Sequence, residues 1–226
     1  MAAHHHRDLT GSALRQAFFL TAFILVLEAA AGYLSHSLAL LADAGHILVD
    51  VIALGLAWFA VVQSRRPADA RRTYGYHRVG ILTAFANGAT LIAIVAGVAF
   101  EAAHRLAHPE PVQGGLVVGA ALVAVAVNTY IALRLSGDHH DLSLRAVRLH
   151  VLGDLVASIG VVAAGAVIAL TGWLPADPIV SLAIATLIAW SAYRILLDTM
   201  NVLLEGVPRG MEIEHVAASI GESEGV

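Results

Sequence analysis

Cysteine and lysine are both absent from the 226 residues, and charge of either sign is scarce. Without a thiol the chain can hold no disulfide scaffold, thiolate zinc site, redox relay or cysteine nucleophile, so any metal must be bound through nitrogen and oxygen. All 13 basic residues are arginine and the net charge is -4, which gives no basic stripe and excludes nucleic acid as a partner. Charged residues make up 13% of the chain, against about 25% in soluble domains. What fills the space is apolar: 58% of residues are hydrophobic, with a mean hydropathy of +0.77. The bilayer is the natural solvent for such a composition. No cleavable leader is expected, because the polar stretch Met1 to Ser12 precedes the first apolar run.

A helix needs about 20 apolar residues to cross roughly 30 Å of hydrocarbon. Six runs of that length occur, at 13–34, 37–62, 79–103, 112–135, 147–170 and 179–200. They are separated by turn chemistry such as Ser35-His36, Pro109-Glu110-Pro111 and Trp173-Leu174-Pro175. The short alternating segments of a barrel are missing. These features predict an all-α membrane protein, a six-transmembrane-helix bundle. Its divisions are a polar N-terminal tail at 1–12, a transmembrane domain at 13–204 and a short polar-apolar segment at 205–226. Basic residues accumulate on the cytoplasmic side of membrane loops. Arg7 precedes the first run and Arg15 lies at its start, Arg65, Arg66, Arg71, Arg72 and Arg78 fill the second loop, and Arg134, Arg145 and Arg148 flank the fourth, whereas the opposite side has only Arg105. Both termini are therefore expected in the cytoplasm.

Ionisable residues inside a span cost a few kcal/mol each on insertion scales, so their presence asks for a function. Asp43, His46 and Asp50 stand at i, i+3 and i+7 in the second run, on one helical face, and His150 and Asp154 stand at i, i+4 in the fifth. The octapeptides His-Ile-Leu-Val-Asp-Val-Ile-Ala from His46 and His-Val-Leu-Gly-Asp-Leu-Val-Ala from His150 share His, Leu, Asp and Ala. Each lies in the middle helix of a three-helix half, the pattern of an inverted repeat with a site near the midplane. Two imidazoles and two carboxylates supply the four ligands of a tetrahedral Zn2+ site, and Co2+ or Cd2+ fits the same set. Imidazole moves the preference away from Mg2+, Ca2+ and Mn2+. His46, Asp50, His150 and Asp154 are the candidate metal ligands. The bland alternative is a set of interhelical hydrogen bonds, worth about 0.6 kcal/mol each, which does not offset the insertion cost.

The accessory candidates are weaker. Asp43 is an accessory metal or proton site, with helix packing as the alternative. His139 and His140, between Asp138 and Asp141, either collect metal or form a solvated turn, and Glu28, Glu101 and Asn128 read as interfacial or interhelical polar contacts. The spacing of Gly80, Ala84 and Gly88 offers a small-residue stripe for close approach of a neighbouring helix or a second protomer.

These residues together resemble the cation diffusion facilitator family of zinc, cobalt and cadmium efflux proteins. The run from Ser37 to Asp50, Ser-Leu-Ala-Leu-Leu-Ala-Asp-Ala-Gly-His-Ile-Leu-Val-Asp, is similar to the family's second helix, and Arg-Thr-Tyr-Gly-Tyr-His-Arg from Arg72 to Arg78 to its loop signature. His150 with Asp154, Asp177-Pro178 and the stretch Asn201 to Pro208 resemble further family features. The resemblance implies a homodimer in the cell (inner) membrane that exports metal from the cytoplasm in exchange for protons, with the His/Asp quartet as transport site. His46 as first ligand implies zinc. The family continues into a cytoplasmic domain, so 205–226 is expected to be its start or a stub replacing it.

Two other classes compete with transport: a membrane-embedded zinc metalloenzyme and a metal sensor that binds without transporting. His-Glu-xx-His, histidine boxes and Gly-x-Ser-x-Gly are all missing. Four protein ligands also leave no open position for a reacting water. The expected partners are thus a divalent cation, protons and the lipid bilayer.

Overall fold

The computed structural model describes residues 2–64, 79–134 and 142–207, with the side chains of 2–15, 57, 58, 61, 64 and 142–147 excepted. Six helices follow one another: α1 (Ala2–Ser35), α2 (Leu38–Ser64), α3 (Val79–Ala107), α4 (Gly114–Arg134), α5 (Leu142–Thr171) and α6 (Ala176–Leu203). Among the described residues there is no strand. Each helix is long and apolar enough to cross a membrane, the first over Gln16–Ser35. This follows from the solvent, because in hydrocarbon a lone helix satisfies its own backbone and an open strand does not. The observed spans agree with the apolar runs to within a few residues, except that α1 extends back through the polar residues from Ala2.

The packing divides the helices unevenly. α4 lies along α5 and α1 contacts α2 and α4, while α2 touches α5 over a short stretch; α3 lies along α6, and this pair reaches the rest mainly through α2 and α5. Small residues set the closest approach. A Cβ on Gly114 would stand 2.6 Å from the carbonyl oxygen of Gly165, and a Cβ on Gly165 would stand 2.9 Å from Val117 Cγ1. Glycine at these two places lets α4 and α5 pack backbone to backbone. Gly88 plays a similar part between α3 and α6, where a Cβ would meet Leu196 Cγ at 3.0 Å. At that position the small-residue stripe serves a neighbouring helix of the same chain.

The turn between α1 and α2 is pinned from two directions. Asp177, fully buried in the first turn of α6, accepts hydrogen bonds from Ser37 Oγ at 2.6 Å, Leu38 N at 2.7 Å and Ala39 N at 3.4 Å. A carboxylate from one helix thereby caps the N-terminus of another, satisfying its orphan amides and its positive dipole end. On the outer flank of the turn, Arg105 donates to the carbonyl of His36 at 2.6 Å and pairs with Glu101 at 2.8 Å and Glu110 at 3.3 Å. Glu101 is therefore an ion-pair partner at the end of α3. The left-handed backbone of His36, with φ of 56°, closes the turn.

Candidate metal site

Helical periodicity brings the polar face of α2 and the polar face of α5 together where those two helices touch. The quartet named from the sequence converges there. Asp50 Oδ2 lies 3.4 Å from His46 Nε2 on its own helix and 3.1 Å from His150 Nε2 across the interface. Asp154 reciprocates, with Oδ1 3.8 Å from His46 Nε2 and Oδ2 3.8 Å from His150 Nε2. The imidazoles meet edge to face, with ring centroids 5.7 Å apart. Donor atoms of His46, His150 and Asp154 all lie within 4.8 Å of one another.

These separations have the scale of a coordination polyhedron. A tetrahedron with bonds of about 2.1 Å has edges of about 3.4 Å. The four nitrogen-to-oxygen distances, 3.1, 3.4, 3.8 and 3.8 Å, bracket that edge. Asp50 approaches both imidazoles but stands outside the three-residue group whose donor atoms lie within 4.8 Å of one another, so closing four ligands on one ion takes a movement of Asp50. A cavity of about 230 Å³ adjoins the cluster, lined by Asp43, His46, His150 and Asp154 and closed on the α6 side by Ile184 and Ile188. The quartet is graded in exposure: the side chains are 48% exposed at His150, 27% at Asp50, 18% at His46 and 12% at Asp154. The site thus opens toward the end where α2 finishes and α5 begins.

The accessory candidates divide. Asp43 faces the same cavity and is buried, with neither carboxylate oxygen in a well-formed hydrogen bond among the described residues. His139, His140, Asp138 and Asp141 lie outside the described residues, as do the loop arginines Arg65, Arg66, Arg71, Arg72 and Arg78. The structure adds Glu28, which reading by sequence assigned to an interface or an interhelical contact. Glu28 is fully buried on α1, and neither of its carboxylate oxygens is hydrogen-bonded among the described residues. Its only sequence signal is an acid in the middle of an otherwise apolar run. Asn128 is buried on α4. Asp177 was noted only for its place at the start of the sixth helix; its capping of α2 becomes visible when α6 is set beside the α1 to α2 turn.

Fold and cluster together define a multi-pass integral membrane protein with imidazole and carboxylate groups gathered between two of its spans. Residues 14–204 match the family of the cation efflux transmembrane domain. The chain belongs to that family. It is 42% identical over 217 residues to the zinc transporter ZitB of Escherichia coli, covering 95% of this chain and 69% of the relative. It is 34% identical over 231 residues to the metal cation efflux system protein CzcD of Cupriavidus metallidurans, covering 100% of this chain and 73% of that protein. A cadmium, cobalt and zinc/H(+)-K(+) antiporter of Bacillus subtilis is 33% identical over 229 residues, with 100% and 74% covered.

Proposed function

We propose that this protein exports a divalent cation, zinc foremost with cobalt and cadmium as alternatives, by metal/proton antiport, and that His46, Asp50, His150 and Asp154 hold the ion in transit. The observation that carries the reading is the convergence of two imidazoles and two carboxylates from α2 and α5, each imidazole within 3.8 Å of both carboxylates. Relatives named as zinc, cadmium and cobalt transporters support the choice of ion. The reading places both termini in the cytoplasm, on the arginine-rich side, in the cell membrane, with a homodimer as the working unit. It takes the protein to be a transporter and not an enzyme.

Each helix supplies half of the ligand set. A relative movement of α2 and α5 therefore changes affinity and access together, which is what alternating access requires. In the orientation proposed, the graded exposure makes this the inward-facing state, with His150 first to meet an arriving ion. Loading needs neutral imidazole and ionised carboxylate, so metal arrival displaces protons from any ligand that carries one. On the far side, protons compete for the same imidazoles and favour release. The test is radiozinc uptake into proteoliposomes. Uptake by the wild type that responds to an imposed pH gradient, and is lost in His150→Ala and Asp50→Ala, is the expected result. Zinc binding without flux would favour a sensor, and flux indifferent to the pH gradient would remove the proton coupling.

A further inference from the structure

Beyond the quartet lie two acids that the transport site does not use. Glu28 sits seven residues before the end of α1 and Asp43 five residues after the start of α2. At 1.5 Å per residue both fall roughly 8 to 10 Å from the α1 to α2 turn, at a common depth. Asp43 is 1% exposed and Glu28 0%. Neither carboxylate accepts a well-formed hydrogen bond among the described residues; the Ser158 hydroxyl, which stands beside Asp43, donates to the carbonyl of Asp154 at 2.9 Å. The contrast with Asp177, also fully buried but given three donors, shows that the bundle can satisfy a buried acid where the fold requires one. Asp43 moreover faces the cavity it shares with His46 and Asp154. Two carboxylates out of water with no donor make an incomplete arrangement, because a buried charge needs a partner.

We propose that Glu28 and Asp43 form a second, oxygen-only position for the transported divalent cation, one helical turn beyond the quartet toward its closed end. This proposal rests on the transport reading above. Asp154 stands at the junction: its oxygens face both imidazoles at 3.8 Å, and it lies within electrostatic range of Asp43 and of Glu28. It can turn from one set of ligands to the other without leaving the ion bare. The two positions differ in chemistry as a pathway requires. Imidazole and carboxylate together suit zinc, whereas carboxylate alone suits harder cations and holds zinc more weakly. Conduction needs a site attractive enough to load and weak enough to unload, and a graded pair provides both. Exposure, falling from 48% at His150 to zero at Glu28, orders the stations from the open end to the closed one.

The test is zinc-for-zinc exchange, measured with radiozinc in proteoliposomes at equal zinc and equal pH on both faces. No net proton movement enters this assay. Glu28→Gln and Asp43→Asn are both expected to keep zinc binding at the quartet and to slow exchange about 10-fold. Full exchange in both variants overturns the proposal, and if uptake driven by a pH gradient falls at the same time, the two acids carry protons only. Loss of zinc binding in both variants also overturns it, because the acids would then serve the shape of the quartet and not a separate position. The parent reading fails differently: His46→Ala would exchange zinc as fast as the wild type.

Discussion

Asp177 and Asp43 are both buried aspartates near the start of α2, and their surroundings could hardly differ more. Asp177 takes a hydroxyl and two backbone amides at 2.6 to 3.4 Å, while Asp43 takes no well-formed hydrogen bond among the described residues. The first pattern belongs to the fold. An acid placed on orphan amides at a helix N-terminus stabilises the helix and is satisfied by it, leaving nothing for a ligand. The second pattern belongs to function, since an intramembrane acid without a donor contributes nothing to folding that would offset its insertion cost. α2 therefore carries two kinds of carboxylate partner: one anchors its end, and the others face the cavity between α2 and α5.

The largest effect that would test this division is in the quartet. Asp50→Ala and His150→Ala each remove one ligand of four, and zinc flux is expected to fall about 100-fold or more, with little change in the apparent thermal midpoint of the purified protein. A large drop in that midpoint would place these residues on the folding side and break the comparison. Zinc affinity should also depend on pH through the two imidazoles. Both must be neutral to bind the ion, so lowering the pH weakens binding as protons compete for each imidazole. Isothermal titration at three or more pH values measures the slope, and a flat profile would remove the histidines from the ligand set. Next comes Asp177→Asn, which keeps the shape but gives up the charge that holds three donors. Its expected cost is about 2 kcal/mol of stability, read as a lowered thermal midpoint, with zinc affinity preserved. Intact stability with lost affinity would reverse the assignment of the two aspartates.

The sequence made the spans and the quartet legible for a simple reason: both are periodic signals against an apolar background. Six runs of membrane length and two His-xxx-Asp pairs can be counted without knowing which helix touches which. Pairings between distant segments cannot be counted that way. The bond from Ser37 to Asp177 spans 140 residues, and nothing in the neighbourhood of either residue names the other. Glu28 escaped for a related reason. It is alone among the apolar residues of its span, so no spacing rule drew attention to it, and its full burial becomes visible only once the other helices pack around α1. Glycine was ambiguous as well: Gly114 and Gly165 are two among 20, and only their facing backbones distinguish them.

Arg105 gives the smallest effect and the finest test of the comparison. It is the single arginine on its side of the proposed topology, and it has a structural reason to be there, bonding the carbonyl of His36 and pairing with Glu101 and Glu110. Its contacts hold the same turn that Asp177 holds, but from the solvent-facing flank, where Glu101 is 38% and Glu110 45% exposed. Exposed ion pairs contribute little, because water and salt screen them and two long side chains must be ordered. Arg105→Ala is therefore expected to lower stability by about 0.5 to 1 kcal/mol, well short of Asp177→Asn, and to leave zinc flux within about two-fold of wild type. The gap between the two variants should widen slightly in high salt, since screening weakens only the Arg105 pairs, and with them the cost of Arg105→Ala, while the buried Asp177 bonds are unaffected. An Arg105→Ala protein as unstable as Asp177→Asn would show that the turn is held from its outer flank, and burial would no longer separate the acids of the fold from those of the ion path.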